Sequence, residues 1–270
     1  MRGRNDSAFL NYFNSQLPKY AGYGKTYHGA YGFRWRRQFQ FDQLERAYKA
    51  LKANPSTRQV VLQIWDPRID LPNVKGKPAA PDVPCNIVSL LKIRNNCLEW
   101  TQIMRSNDVF RGFPHNVVQF TAVQEVLAGW LGLQVGSYNH FSDSLHVYQD
   151  KESDDLPAIR QSLPCSIPLN NDDLSLPKAT SDKMFLELER CVDRIIKTKT
   201  TCSDIQLLVK TAKLSEAYKN ILIVLCSEAL RRRKKSDFAK EMITQCSNKA
   251  LRHMFERWMA HLQRRAQEMA

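Results

Sequence analysis

The chain has 270 residues, of which 43% are hydrophobic and 25% charged, and it carries a formal net charge of +13 at pH 7. These fractions are those of a folded globular protein, and they exclude the collagen-like, coiled-coil and intrinsically disordered classes. The basic excess is spread along the chain without a basic tail. It therefore suits anionic small ligands such as nucleotides, and it permits nucleic acid without requiring it.

The sequence has no run of about 18 apolar residues and no secretory segment after Met1, so we expect a cytoplasmic protein with no membrane partner. Its seven cysteines form an odd set, with no C-x-x-C pair and no histidine at zinc-ligand spacing. This pattern indicates reduced thiols and no structural metal. One cysteine is then available as a nucleophile.

Short strands and helices follow one another in the first part of the chain. Apolar residues at three- and four-residue steps predict a helix over 41–53, and a buried helix is predicted over 116–131, with Pro114 just before it. Strands are predicted at 60–65, 86–93, 98–104 and 143–148. Arg94-Asn95-Asn96 is typical of a tight turn between the second and third of these strands.

The composition changes after a stretch rich in Pro, Asn and Asp at 163–177. Residues 181–270 contain no proline or glycine, and they have helical periodicity almost throughout. Helices are predicted over 181–197, 203–210, 215–233 and from 238 to the end, with a break near Ser247 and with Ser203, Ser215 and Ser236 as N-caps. We therefore expect a core over residues 1–165 and a helical region of unknown role over 166–270.

Three segments contain residue types that carry chemistry. Cys85, within Pro84-Cys85-Asn86, stands at the entrance of a predicted strand. The run 104–108, Met-Arg-Ser-Asn-Asp, is followed by Gly-Phe-Pro-His-Asn at 112–116. The alternation of the 143–148 strand places Ser144, His146 and Tyr148 on one face.

In their order and spacing, these segments resemble the thymidylate synthase family. Tyr31-Gly32 with Arg34-Trp35-Arg36, Phe41-Asp42-Gln43-Leu44, and Asn54 to Gln59 running into the strand at 60 add to the resemblance, which covers Gly3 to about Tyr148. It implies an α+β fold, with a mixed β-sheet core and packed helices. The helical C-terminal region lies outside the family pattern.

The resemblance also implies a reaction, the conversion of dUMP to dTMP with 5,10-methylenetetrahydrofolate as co-substrate and no metal. Cys85 matches the nucleophile that adds to the uracil ring, and neighbouring arginines favour its thiolate. Tyr31 matches a tyrosine of the proton-transfer network. Asn116 matches the amide that reads the uracil edge, because an amide can both donate and accept.

The remaining matched residues bind substrate and folate. Arg105 and Ser106 match residues that hold the phosphate, and Arg58 matches an arginine that reaches the phosphate of the other subunit, which implies a homodimer. His146 and Tyr148 match groups that bond the sugar hydroxyl. Asp108 matches the carboxylate that pairs with the pterin ring, with Gly112 beside it.

The sequence departs from the family pattern at several positions. The family's catalytic glutamate lies a few residues before the region that Gly3 matches, upstream of Met1. Asn86 replaces a histidine, Gln59 replaces an arginine of the phosphate set, and His115 replaces an aromatic residue. Two alternatives therefore stay open beside thymidylate synthesis: a pyrimidine nucleotide hydroxymethylase of the same superfamily, and a catalytically inactive nucleotide-binding or regulatory paralogue.

Overall fold

The computed structural model of the protein describes residues 1–78, 80–148, 168–169 and 172–268. These residues form two compact units. The first contains residues 1–78, 80–148 and 175–181, and the second contains residues 168–169, 172–174 and 182–268. The predicted boundary between residues 165 and 166 falls outside the described residues and stays a prediction.

The first unit combines a sheet with short and long helices. Its strands are β1 (Val60–Gln63), β2 (Asn86–Arg94), β3 (Cys97–Asp108) and β4 (Gln134–His146). Its helices are α1 (Ser7–Phe13), α2 (Leu17–Ala21), α3 (Tyr31–Phe33), α4 (Gln43–Ala53), α5 (Pro67–Asp70) and α6 (Phe113–Leu131). A π-helical turn, Arg34–Gln38, follows α3 directly.

The four strands form one mixed sheet in the order β1-β2-β3-β4. β1, β2 and β3 pair antiparallel, whereas β4 runs parallel to β3. Parallel neighbours need a crossover connection, and α6 supplies it. The α+β class and the mixed sheet with packed helices are confirmed.

The turn between β2 and β3 forms as its sequence predicts. Arg94 pairs with Cys97 across the ladder, so Asn95 and Asn96 are the two loop residues. Their φ angles are 48° and 58°. Such a two-residue loop needs positive φ at both positions, and asparagine tolerates that region better than most residues.

An aromatic cluster between α6 and the sheet forms the centre of the first unit. The Phe120 ring lies 5.8 Å from the Trp35 ring and 6.4 Å from the Trp100 ring. Tyr31 stacks on the same Phe120 ring at 5.8 Å. The segment that carries Tyr31 is therefore held against α6 by apolar packing.

A buried ion pair holds the chain just after Tyr31. The Arg34 guanidinium donates two hydrogen bonds of 2.8 Å to the Asp70 carboxylate, and both side chains are 0% exposed. Arg34 also donates to the Ile64 carbonyl at 3.1 Å and to the His28 carbonyl at 2.5 Å. These bonds join the α3 region to the end of β1 and to α5.

The second unit is helical over its described residues. It contains most of α7 (Lys178–Ile195), and α8 (Cys202–Thr211), α9 (Glu216–Arg232), α10 (Ser236–Thr244) and α11 (Lys249–Glu268). The break predicted near Ser247 is confirmed, because α10 ends at Thr244 and α11 begins at Lys249. The predicted Ser203 cap is wrong: Thr201 caps α8, in a reciprocal capping box with Asp204.

The strand predictions in the first unit are confirmed in position, with one large omission. For the fourth strand, the sequence predicts only residues 143–148, whereas β4 begins at Gln134 and ends at His146, before Tyr148. None of the helices within the described ranges combines the length and the apolar content that crossing a lipid bilayer requires.

Candidate active site

Cys85 lies just before β2, in a loop that Arg105 on β3 holds in place. The Arg105 backbone amide donates to the Cys85 carbonyl at 2.9 Å. The Arg105 guanidinium donates to the Pro84 and Val83 carbonyls at 3.0 and 3.3 Å through Nε and Nη2. Its Nη1 makes no hydrogen bond with any described residue, so this edge of the guanidinium remains free for an anion.

The other end of the same loop is tied to the segment before Tyr31. The Asp82 carboxylate accepts a hydrogen bond of 2.8 Å from the Gly29 amide. A β-carbon at Gly29 would lie 2.6 Å from this carboxylate, so the approach requires glycine. This hydrogen bond joins the segment before Tyr31 to the segment before Cys85 and thereby holds the two residues close together.

Tyr31 interacts electrostatically with both Cys85 and Arg105. Burial raises the pKa of the Tyr31 phenol above its usual value near 10, and the negative charge of the Cys85 thiolate raises this pKa further. The Asn86 and Cys85 backbone amides and the Arg105 guanidinium act in the opposite direction. The phenol therefore stays protonated at neutral pH beside the thiol and can donate a hydrogen bond there.

Asn86 faces a buried polar partner. Its side chain is fully buried, and its Oδ1 accepts a hydrogen bond from the Gln102 side chain on β3. Gln102 in turn accepts from Ser89 at 2.7 Å and from Trp100 at 3.1 Å. Asn86 therefore has a structural role in this chain, as a member of a buried hydrogen-bond network between β2 and β3.

Asn116 is the fourth residue of α6 and is buried. Its Nδ2 donates a hydrogen bond of 3.0 Å to Oδ1 of Asn107 on β3. The alternation of buried and half-exposed residues along β3 holds as far as Met104 and is then lost, with Asn107 and Asp108 buried in succession. This irregularity allows Asn107 to reach the helix.

Asp108 and Gly112 shape the loop between β3 and α6. Asp108 Oδ1 accepts hydrogen bonds from the backbone amides of Phe110, at 2.9 Å, and Arg111. Its Oδ2 makes no hydrogen bond within the described part of the chain. A β-carbon at Gly112 would collide with Asn107 Oδ1 and lie 3.0 Å from the Asp108 amide nitrogen, so this position requires glycine.

His146 is the last residue of β4, and Tyr148 lies just beyond it, exposed to solvent. Their rings meet edge to face at 5.0 Å, and the Arg111 guanidinium lies 5.5 Å from the centre of the Tyr148 ring. Ser106, half-buried, lies opposite Ser144 in the β3–β4 register. These side chains form a rim that is open to solvent.

Arg58 is not brought to the other candidate residues by contacts within the described chain. It is exposed in the segment between α4 and β1. Its predicted role at the phosphate of another subunit stays a prediction.

Sequence reasoning missed two residues at the centre of this arrangement. Asn107 joins Asn116 to β4, where its Nδ2 lies 3.0 Å from His140 Nε2 and 3.1 Å from Ser142 Oγ. Asn107 lay inside a segment already singled out. His140 gave no signal, because residues 134–142 were not predicted to be a strand.

Comparison with known proteins identifies the family. A family model described as thymidylate synthase matches residues 7–185. The chain belongs to the thymidylate synthase family. The match extends beyond Tyr148, where the resemblance seen in the sequence was expected to end.

The relatives carry two different names. A deoxyuridylate hydroxymethyltransferase of Bacillus phage SP01 is 38% identical over 161 residues, which are 56% of this chain and 41% of the phage protein. A thymidylate synthase of Listeria monocytogenes is 26% identical over 166 residues, 56% of this chain and 50% of that protein. The matched part therefore spans half or less of each relative's length.

Among solved structures, the thermostable thymidylate synthase A from Bacillus subtilis is similar to this chain. The two are 25% identical with a TM-score of 0.49, and the match covers 59% of this chain and 57% of the Bacillus chain.

Proposed function

We propose that this chain carries the nucleotide site of an enzyme that transfers a one-carbon unit to carbon 5 of dUMP. The observation that carries the proposal is the grouping of Cys85, Tyr31 and Arg105. Hydrogen bonds hold both ends of the loop 82–85, which contains Cys85. A cysteine with a protonated phenol and a guanidinium beside it suits nucleophilic addition to a ring.

In this proposal, the Cys85 thiolate adds to carbon 6 of uracil, which makes carbon 5 nucleophilic. The free edge of Arg105 binds the phosphate, together with Ser106. Asn116 hydrogen-bonds the imide edge of the base, and His146 and Tyr148 bind the sugar hydroxyl. Tyr31 stays protonated and holds a proton beside the reacting ring.

The loop between β3 and α6 fits a folate. Asp108 Oδ2 has no hydrogen-bond partner in the described chain, and the absence of a β-carbon at Gly112 leaves the backbone accessible. Asp108 and Gly112 would hold 5,10-methylenetetrahydrofolate, which supplies the one-carbon unit when bound. No metal is needed for these steps.

The transfer can end in either of two products, a hydroxymethylated or a methylated nucleotide, depending on which reactant completes it. Hydroxymethylation, in which water completes the reaction, is favoured by the phage relative at 38% identity over the synthase at 26%. Reductive methylation to dTMP, the expectation from the sequence, is the second candidate.

The test has two parts. The chain is incubated with dUMP and 5,10-methylenetetrahydrofolate, and products are separated by mass spectrometry: 5-hydroxymethyl-dUMP supports hydroxymethylation, and dTMP supports methylation. In the second part, 5-fluoro-dUMP with the same folate should label Cys85. Cys85→Ala should abolish the label, and Cys97→Ala, which removes a half-exposed thiol elsewhere, should keep it. A label on another cysteine would contradict the assignment.

We also propose a homodimer that forms through the sheet. Phe141 and Leu145 on β4 are 60% and 55% exposed, and Val61 and Leu90, paired across β1 and β2, are 46% and 38% exposed. A second copy covering this apolar face would explain why the sequence leaves it uncovered. A strictly monomeric protein at micromolar concentration would contradict this proposal.

A further inference from the structure

A chain of hydrogen bonds leads from Asn116 on α6 through β3 to β4. Asn116 Nδ2 donates to Asn107 Oδ1 at 3.0 Å. Asn107 Nδ2 lies 3.0 Å from His140 Nε2, and His140 Nδ1 lies 2.8 Å from the Tyr138 hydroxyl. Ser142 Oγ lies 3.1 Å from both Asn107 Nδ2 and His140 Nε2.

Each hydrogen bond of this network has a defined donor and a defined acceptor. Because Asn107 turns its oxygen toward Asn116, its amide nitrogen faces His140. Two N–H groups facing each other at 3.0 Å would repel, so His140 Nε2 must accept. The proton of the neutral ring is then on Nδ1, where it donates to the Tyr138 oxygen.

The surroundings of His140 keep it neutral. Phe113 from α6 packs edge to face on the imidazole at 5.2 Å, and Asn107 faces it from β3. Among the residues that the structure describes, the titratable group that faces it is the Tyr138 phenol on its own strand, and burial raises the pKa of that phenol. Burial lowers the pKa of His140 below its usual value near 6.5. At neutral pH the ring is therefore uncharged.

We propose that Asn107 and His140 are positioning residues that fix the orientation of the Asn116 amide and thereby select uracil over cytosine. This inference rests on the proposed function, in which Asn116 meets the edge of the pyrimidine. Uracil presents an acceptor at O4 and a donor at N3. Asn116, with one Nδ2 hydrogen given to Asn107, still has its second hydrogen and its oxygen to match that edge.

Cytosine presents the opposite pattern, an amino donor and a ring acceptor, so Asn116 must turn over to match it. Its Oδ1 would then face Asn107 Oδ1, and two acceptors at this distance repel. Asn107 would have to turn as well, which places its oxygen against His140 Nε2. That arrangement becomes favourable only when His140 Nε2 carries a proton, so uracil selection requires a neutral His140.

The experiment measures the ratio of the dUMP and dCMP affinities by calorimetry for the whole chain and its variants. The wild type should prefer dUMP by at least about tenfold. Asn107→Ala frees Asn116 to turn and should reduce the preference at least about fivefold. Asn107→Asp presents an acceptor oxygen to Asn116 whether or not His140 is protonated, so this variant should retain the preference. Asn139→Ala, an exposed asparagine of the same strand as His140, is the control and should change nothing.

A second measurement uses pH and does not depend on the folding of Asn107→Ala. Both nucleotides carry the same phosphate, so its ionisation cancels in the ratio. Between about pH 8 and about pH 5, the wild-type preference should fall as His140 is protonated, because protonation permits the turned arrangement, and the fall should begin only below about pH 6.5, since the pKa of His140 is lowered. In His140→Phe the ratio should not depend on pH, because the phenyl ring takes up no proton.

The outcomes separate the two proposals. If the wild type does not prefer dUMP, the proposed substrate and this inference both fail. If it prefers dUMP but folded Asn107→Ala has the same preference, or if its ratio is independent of pH, the inference alone fails and the proposed function stands.

Discussion

The first unit contains two kinds of polar residue, which differ in their burial and in whether their hydrogen-bond partners lie within the protein. Interior polar residues are bound to partners within the protein: Arg34, Asp70, Asn107 and Asn116, which are buried, and His140, which is half-buried. Rim residues are exposed or lie at a strand end: Arg58, His146 and Tyr148. The interior set is oriented before any ligand arrives, whereas the rim set has solvent as its alternative partner. Changes in the interior should therefore alter stability and specificity, and changes at the rim should alter ligand affinity alone.

The largest effect is expected at the buried ion pair. Arg34→Met leaves the Asp70 carboxylate buried without its partner, which should lower the free energy of unfolding by about 3–5 kcal/mol. Lys92→Met is the control, because Lys92 makes an ion pair of 3.3 Å with Glu99 in which both side chains are partly exposed. Urea unfolding of the variants measures both. Equal losses of unfolding free energy would show that a buried ion pair contributes no more to stability than an exposed one.

The next effect concerns packing at the interior site. Gly112→Ala forces a β-carbon against Asn107 and Asp108, which should cost about 1–3 kcal/mol of stability and displace Asn107. Gly24→Ala, at an exposed position with a nearest contact of 3.3 Å, should cost less. A Gly112→Ala protein with wild-type stability would show that the loop moves freely to make room.

Much of this interior could be predicted from the sequence, and the reasons differ between residues. Cys85, Arg105 and Asn116 lie in segments whose order is specific, and the Asn95-Asn96 turn follows from local backbone preference. His140 could not be found, because its role depends on the parallel pairing of β4 with β3 across the α6 crossover. Such pairing joins residues distant in sequence, and the mixed polar and apolar composition of 134–142 gives no strong local signal.

A change of specificity is expected from Asn116→Asp. A carboxylate accepts from the cytosine amino group and, when protonated, donates to the ring nitrogen, whereas it cannot donate to uracil O4 when ionised. The dUMP preference should fall by about tenfold, or about 1.4 kcal/mol. Calorimetric titration with dUMP and dCMP measures it. If the asparagine only supports α6, stability would fall and the preference would not change.

At the rim, His146→Ala should leave the free energy of unfolding within about 0.5 kcal/mol of the wild type. It should weaken dUMP binding by roughly twofold to tenfold, because one hydrogen bond to the sugar is lost. A nucleotide without the 3′-hydroxyl tests the assignment directly, since its affinity should be the same for wild type and variant. An equal loss with both nucleotides would place His146 elsewhere in the site.

The smallest effect on stability is expected for Arg58→Ala, because the exposed side chain has no hydrogen bond or ion pair within the described chain that would be lost. Its effect on binding should appear only through the dimer. Arg58→Ala alone should form the 5-fluoro-dUMP adduct slowly, and Cys85→Ala alone should form none. When the two are mixed and allowed to exchange subunits, the intact Cys85 of one subunit meets the intact Arg58 of the other, so adduct formation should recover. Mass spectrometry of the mixture measures the recovery. If mixed dimers form and no adduct is regained, Arg58 acts within its own subunit or not at all, and the rim of each site is complete without a second copy.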